Sequence, residues 1–220
     1  MRELLFVDMS ALSIERKSLP EKWNRYGGRA LTDAIVYDMV PPMADPLGQE
    51  NVLVFAPGLL AGTTATNAGR LSVGAKSPLT GGLKESNSGG QGGHALGKLK
   101  IAAIVVTGKP ADAAARYLVT IEADGSAKLD RVDAWAGVTN YALADAIKAM
   151  RPADDRYSTI TNGPAGEAGL KAAGIAMSDM KGYPNRFAGR GGMGAVMGSK
   201  GLKAIVVSDK GLPYLEHADK

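Results

Sequence analysis

The sequence of 220 residues contains no cysteine. That excludes disulfides, thiolate zinc sites, iron–sulfur ligation and thiol nucleophiles at once. Histidine is nearly as scarce. His94 and His217 are the only two, too few for a multi-histidine metal centre and poor material for a Ser/His/Asp triad. Aromatic residues make up 5% and the formal net charge is +4, so the dense basic stripe with stacking rings of a general nucleic-acid binder is missing. Long apolar runs are missing too: Ile101 to Val106 falls far short of a bilayer span, and the first residues, Met1 to Asp8, meet an acid after only four apolar residues, without the apolar core of a secretory signal. With 45% hydrophobic and 22% charged residues, the composition is that of a globular chain, neither disordered nor membrane-spanning, and expected in the cytoplasm.

What the chain does have is glycine, 29 residues or about 13% against a typical ~7%. The glycines concentrate in Gly58 to Gly97 and again in Gly163 to Gly201, with Arg70, Lys76, Lys84, Lys98, Lys100, Arg186, Arg190 and Lys200 interleaved. Glycine permits positive φ and close approach of a ligand to the main chain, and the basic residues supply countercharge. Two such segments point to one large anionic ligand.

Leu4 to Val7 and Ser13 to Lys17 read as an edge hairpin about Asp8-Met9-Ser10-Ala11. Pro20 through Val40 has a helical period, with Trp23, Leu31, Ile35 and Met39 on one face and Pro41-Pro42 as the stop. Strands are expected at Asn51 to Ala56, Leu71 to Lys76, Ala103 to Thr107, Tyr157 to Thr161 and Lys203 to Ser208, a short helix at Gly92 to Leu99, and a hairpin of Arg116 to Glu122 with Ala127 to Val132. Asn140 is expected to cap a helix running to Met150. The pattern is that of a single α+β domain, two β-sheets forming a sandwich-like base with a few short helices and glycine-rich loops, without internal linker or repeat. It is taken to fill residues 1–210, with 211–220 as a tail.

Gly189-Arg190-Gly191-Gly192-Met193-Gly194 satisfies G-x-G-x-x-G with Asp209 at the spacing a dinucleotide turn uses, yet Gly182 to Phe187 is not the hydrophobic strand such a turn needs. Gly198-Ser199-Lys200 has serine ahead of lysine, the reverse of a phosphate-binding P-loop. What remains is an amide nest at a helix start flanked by Arg186 and Arg190, and a second at Ser86-Asn87-Ser88-Gly89-Gly90. His94, Trp23 and Trp135 read as packing residues, His217 as solvated, and Glu167 as a cap or the partner of an arginine rather than a general acid.

Six colinear segments resemble the N-terminal domain of the tungsten-containing aldehyde ferredoxin oxidoreductases: Tyr26 to Leu31, Pro57 to Thr63, Gly69 to Gly81, Asn87 to Gly90, Gly163 to Glu167 and Ala188 to Ile205. The resemblance implies a base of two β-sheets under a bis-pyranopterin cofactor of tungsten or molybdenum. It implies pterin and phosphate contacts from Arg70, Asn87, Ser88, Gly89, Arg186, Phe187, Gly189 and Arg190. It further implies a magnesium held by the main-chain carbonyls of Asn87 and Phe187 and bridging the phosphates. The sequence departs from the family at Gln91, at Lys100-Ile101-Ala102 and at Ala168. In the family, helical domains bring the cysteines of an iron–sulfur cluster, so this cysteine-free chain is expected to work with a cysteine-bearing domain or subunit. The implied reaction is oxidation of an aldehyde or another oxo-group conversion, with electrons leaving toward a ferredoxin-type acceptor. A non-catalytic relic or assembly module that binds a pterin or partner protein, and a nucleotide-dependent oxidoreductase using Gly189 to Gly194, are the other readings.

Overall fold

The computed structural model describes residues 2–216. The chain opens with a hairpin, β1 (Glu3–Asp8) and β2 (Ser13–Ser18), followed by a 3-10 turn at Glu21–Trp23 and helix α1 (Gly28–Met39). Then come β3 (Leu53–Pro57), β4 (Leu71–Lys76), β5 (Leu83–Ser88), α2 (Gly92–Lys98) and β6 (Ile101–Thr107). The second part repeats this order: hairpin β7 (Tyr117–Ile121) and β8 (Ala127–Arg131), a 3-10 turn at Asp133–Trp135, and α3 (Asn140–Met150). It continues with β9 (Tyr157–Thr161), the extra short helix α4 (Pro164–Glu167), β10 (Ile175–Met177), β11 (Arg186–Ala188), α5 (Met193–Ser199) and β12 (Leu202–Ser208).

Each half forms one six-stranded mixed sheet, ordered β2-β1-β6-β3-β4-β5 in the first and β8-β7-β12-β9-β10-β11 in the second. Parallel pairs occur at matching places, β1 with β6 and β7 with β12. Even the irregularities match: the ladder slips by one residue past Ala102 on β6 and past Lys203 on β12. A left-handed residue precedes each of these strands, Lys100 (φ 57) in the first half and Gly201 (φ 66) in the second. The fold is therefore an internal duplication, and the expectation of a chain without repeats is corrected. Its trace in the sequence is Ala103-Ile104-Val105-Val106 on β6 recurring as Ala204-Ile205-Val206-Val207 on β12.

Alternation along the strands sorts the core into layers. One face of the first sheet (Leu4, Val54, Ala56, Ala103, Val105) packs under Leu31 and Ile35 of α1, with Trp23 at its margin. The matching outer face of the second sheet (Leu118, Ala204, Val206) packs under Leu143 and Ile147 of α3, with Trp135 beside it. The inner faces, carrying Phe55, Ile104 and Val106 on one side and Val119, Ile160 and Ile205 on the other, share one large core with Leu96 of α2 and Val196 and Met197 of α5. Both inner helices touch both sheets, so they fill the space between the sheets.

That filling depends on glycine. A Cβ on Gly97 would stand 2.2 Å from the Ala61 carbonyl oxygen, and one on the equivalent Gly198 would stand 2.0 Å from that of Gly166. The backbones of the neighbouring loops lie against the inner helices with no room for a methyl group. Two sequence expectations about helices need correcting. α1 begins at Gly28, after the separate turn holding Trp23, and Met39 at its end is exposed. Asn140 is the first residue of α3; Thr139 occupies the cap position and neither residue makes a side-chain cap.

Lys200, expected among the ligand countercharges, is fully buried, and its Nζ donates to the main-chain oxygens of Asn51 (2.5 Å) and Gly108 (3.1 Å). It ties the second half to the loops of the first. Burial pushes its pKa down from 10.5 to about 7, aided by Lys109 and opposed by Asp8. Between those values the unfolded chain binds the proton that the folded chain does not, so stability rises with pH across that window.

Two outcomes follow. Urea titrations from pH 7 to 10 should show the wild type gaining stability relative to Lys200→Met by up to ~1.4 kcal/mol per pH unit, and parallel pH curves for the two proteins would remove this account. Gly198→Ala should cost about 1–3 kcal/mol in the same assay, whereas Gly82→Ala, where a Cβ would meet nothing within 4 Å, should be near neutral.

Candidate functional site

The two edge strands β5 and β11 lie against each other, and the glycine-rich loops leave from their ends. Three hydrogen bonds fasten the seam. The Arg190 main-chain N–H donates to Ser86 Oγ (3.1 Å), Ser77 Oγ donates to the Gly191 carbonyl (2.6 Å) and the Gln91 N–H donates to the Ser178 carbonyl (3.4 Å). The loop around Asn87 and the loop around Arg190 thus converge, as a shared ligand requires.

Where the edges part they leave a cleft of about 440 Å³ lined by Arg29, Arg70, Lys84, Glu85, Ser86, Asn87, Phe187, Gly189 and Arg190. Arg70 Nε donates to Asn87 Oδ1 (2.6 Å) and its terminal nitrogen to the Asn87 carbonyl (3.3 Å), which fixes both groups at the end of β5. Phe187 is large, apolar and half exposed, the middle residue of β11. The register makes Asn87 and Phe187 equivalent: Asn87 pairs with Ser72 and Phe187 with Ala176, at corresponding positions of β4 and β10. The duplication therefore brings the same main-chain position from each half to one seam.

The glycines of this region divide by role. Gly90 has φ 114 and its Cβ would meet the Ser178 carbonyl oxygen at 2.4 Å; Gly192 has φ 75 and its Cβ would meet the Lys171 carbonyl oxygen at 2.1 Å. Their lack of a side chain serves the loops. Around Gly89 a Cβ would meet nothing within 4 Å, and at Gly189 only Phe187 Cβ at 3.9 Å, so these two leave open space beside the cleft.

Not every expected residue is in place for a ligand. Five of the eight named residues, Arg70, Asn87, Phe187, Gly189 and Arg190, line the cleft. Ser88 is buried with its Oγ donating to the Gly89 carbonyl (3.1 Å), Gly89 lies beside it, and Arg186 is exposed without lining the cleft. The helix-start nest is partly used up by the fold, because the Gly194 N–H donates to the Ala173 carbonyl (2.9 Å). Of the interleaved cations, Lys98 pairs with Asp209 (2.8 Å) in the interior and Lys76 is buried with its Nζ on the Pro42 carbonyl. Arg29, Glu85 and Ser86 reach the cleft without having been singled out as ligand contacts. For Glu85 the sequence signal is its period-2 spacing with Asn87 on one strand; Ser86 is its neighbour on that strand, and Arg29 arrives from α1.

Other candidates resolve into structure. The dinucleotide turn fails on topology, because β11 and β12 run antiparallel with two strands between them, whereas that turn joins parallel strands. Asp209, its acid, is held by Lys98. His94 Nδ1 accepts from the Gly62 N–H (3.2 Å), and burial together with Lys98 lowers its pKa, so the ring is a neutral packing group. His217 lies outside the described residues. Glu167 is buried, and its carboxylate accepts from Arg116 Nε (3.1 Å), the Gly137 N–H (3.0 Å) and Lys203 Nζ. Burial raises its pKa, but these three donors outweigh it and leave the group below the ordinary range, the opposite of a general acid. A larger cleft of about 720 Å³ between α3 and residues 178–184 contains Asp155, Asp179 and Asp209, all engaged in hydrogen bonds of the fold. Among the described residues no cluster of three or more His, Cys, Asp or Glu is arranged to hold a metal, and no helix is long and apolar enough to cross a membrane.

A duplicated pair of sheets with a cationic cleft at the seam defines a class of domain suited to cradling an anionic group. Comparison with known proteins gives the family: residues 4–209 match the model of the aldehyde ferredoxin oxidoreductase N-terminal domain, and the chain belongs to that family. The tungsten-containing aldehyde ferredoxin oxidoreductase of Pyrococcus furiosus is 39% identical over 204 residues, 93% of this chain and 31% of the relative. That of Pyrococcus abyssi is 34% identical over 99% of this chain and 34% of its own length. Among solved structures, the active-site complex BamBC of a benzoyl-coenzyme A reductase with 1,5-dienoyl-CoA superposes with a TM-score of 0.84 at 33% identity, covering 94% of this chain and 30% of that one. The chain spans about a third of the length of these relatives.

The buried network around Glu167 yields a stability test. Glu167→Gln leaves Lys203 buried without its counter-ion and should cost about 3–5 kcal/mol in denaturant titrations at pH 7. The wild type should lose this advantage as pH falls through the depressed carboxyl pKa. A variant as stable as the wild type at pH 7 would contradict the arrangement.

Proposed function

We propose that residues 1–210 form the cofactor-cradling domain of an aldehyde-oxidising enzyme carrying a bis-pyranopterin of tungsten or molybdenum, with 211–220 as a tail. The observation that carries this reading is the convergence of Arg70, Lys84 and Arg190 with the paired positions Asn87 and Phe187 in one cleft. The chemistry of the donors fits the group. Guanidinium forks suit phosphate oxygens, the open space at Gly89 and Gly189 admits bulk against the main chain, and the half-exposed Phe187 ring offers an apolar face to a heterocycle.

In this reading Arg70 and Arg190 neutralise the phosphates, with Arg186 and the main chain of Ser88, Gly89 and Gly189 as further contacts. The carbonyls of Asn87 and Phe187 would hold the magnesium, a role that suits oxygen donors and a hard cation. The Asn87 side chain keeps Arg70 aimed at the cleft. The bound cofactor supplies the two-electron chemistry on the aldehyde or other oxo group. Acid–base groups do not come from the best candidate here, because Glu167 is locked in ion pairs. They come from the partner domains or subunit, which also carry the cysteines of the iron–sulfur cluster and pass electrons to a ferredoxin-type acceptor. A cysteine-free chain suits a cytoplasmic setting of this kind.

Metal and pterin analysis of the protein purified with its cysteine-bearing partner tests the reading. Stoichiometric pterin with tungsten or molybdenum is expected, and Arg70→Gln or Arg190→Gln should each lower retained pterin about tenfold, the effect of one lost charge-assisted hydrogen bond. Protein saturated with pterin but free of both metals, or without pterin, would overturn it.

A further inference from the structure

The arginine of the cleft for which neither the fold nor the family comparison supplies a role is Arg29. It sits in the first turn of α1, and the two glycines before it are there for geometric reasons. A Cβ on Gly27 would lie 2.8 Å from the Leu59 main-chain nitrogen, and Gly28 has φ 53. The helix therefore starts close against the loop after β3, and α1 packs along β4 and β5. This places Arg29 beside Glu85 of β5, with Nε donating to Glu85 Oε2 at 3.0 Å.

The pair is lopsided. The Arg29 side chain is 69% exposed and that of Glu85 only 2%. Beyond Nε the guanidinium has no other partner among the described residues, and it lines the cleft together with Arg70, Lys84 and Arg190. Glu85 Oε1 is buried with no hydrogen-bond partner. A buried carboxylate with one oxygen unsatisfied is a costly way to anchor a surface arginine. An ion pair whose arginine is this open to solvent contributes little to stability. What the arrangement does achieve is orientation: the Nε bond anchors the guanidinium to Glu85 and leaves the terminal N–H groups of a cleft-lining side chain free. Asp33, one turn further along α1, is held above the ordinary carboxylate range by burial and by Glu85, and it makes no hydrogen bond to the guanidinium.

We infer that Arg29 is an additional anion-binding arm of this cleft, taking a phosphate or pyrophosphate group through its terminal N–H pair, and that Glu85 is its positioning residue. This rests on the cradle reading above and adds to it a residue on a different element, α1, so that the anion is gripped from three sides. Glu85 is the informative partner, because its two possible influences have opposite signs. If it acted only through its charge, removing it would tighten anion binding; if it orients Arg29, removing it must loosen binding.

Calorimetric titration of the full 220-residue chain with inorganic pyrophosphate tests this, with thermal melts reporting folding. The wild type should bind. Arg29→Gln should weaken binding at least tenfold, Arg29→Lys should fail to restore it, Glu85→Ala should weaken it at least threefold, and Arg29→Gln with Glu85→Ala should be no weaker than Arg29→Gln alone. Lys181→Gln, away from the cleft, should leave binding unchanged. Wild-type affinity in folded Arg29→Lys, or tighter binding in Glu85→Ala, would overturn the assignment while loss of binding in Arg70→Gln left the cradle reading standing. No binding by the wild type, or unchanged binding in Arg70→Gln and Arg190→Gln, would remove both.

Discussion

The contact on which the site depends is the meeting of two sheet edges. An open edge presents unpaired main-chain groups and invites association with other chains. Here β5 and β11, the last strands of the two sheets, cover each other without forming a continuous ladder, fastened instead by Ser86, Ser77 and the loop carbonyls. A continuous ladder would have closed the seam. The side-chain and loop contacts hold the edges together and still let them diverge, and the cleft with its arginines occupies that divergence.

Buried lysines accomplish the complementary task. Lys98, Lys200 and Lys203 all point into the interior, two of them onto carboxylates and Lys200 onto carbonyls alone. They join segments remote in sequence, and they show how the duplicated halves have diverged. By register Lys203 corresponds to Ala102, so one half carries an ion pair where the other carries a methyl group. The cleft diverges in the same way. Glu85 and Arg29 sit on the first half, and the second half supplies Phe187 and Arg190.

Much of the fold was legible because its central strands are apolar: β3, β6 and β12 carry the runs Leu53 to Ala56, Ile101 to Val106 and Ala204 to Val207, all buried. β5, β10 and β11 were not legible. Leu83 to Ser88 is polar because its edge faces the cleft, and β10 and β11 have three residues each, too few for a period to emerge. The repeat escaped notice because only the segment around Ala103 to Val106 retains its identity, while loops and helices have drifted. At the site, glycine richness located the right loops but misjudged the donors. Several amides and lysines that looked available are consumed by the fold, and whether a cation is buried or free is decided by its distant neighbours. Arg29 lies far from the other cleft residues in sequence, and only the packing of α1 on β4 and β5 brings it near.

The duplication also sets the order in which the molecule can be built. Every ladder partner of the first sheet lies between Glu3 and Thr107, and every partner of the second between Tyr117 and Ser208. As the chain leaves the ribosome, the first sheet can close as soon as β6 has emerged, before most of the second exists. The cleft cannot, because a third of its lining, Phe187, Gly189 and Arg190, arrives with β11 and the loop after it. Whatever occupies the seam must therefore enter after the second sheet has been made and has joined the first.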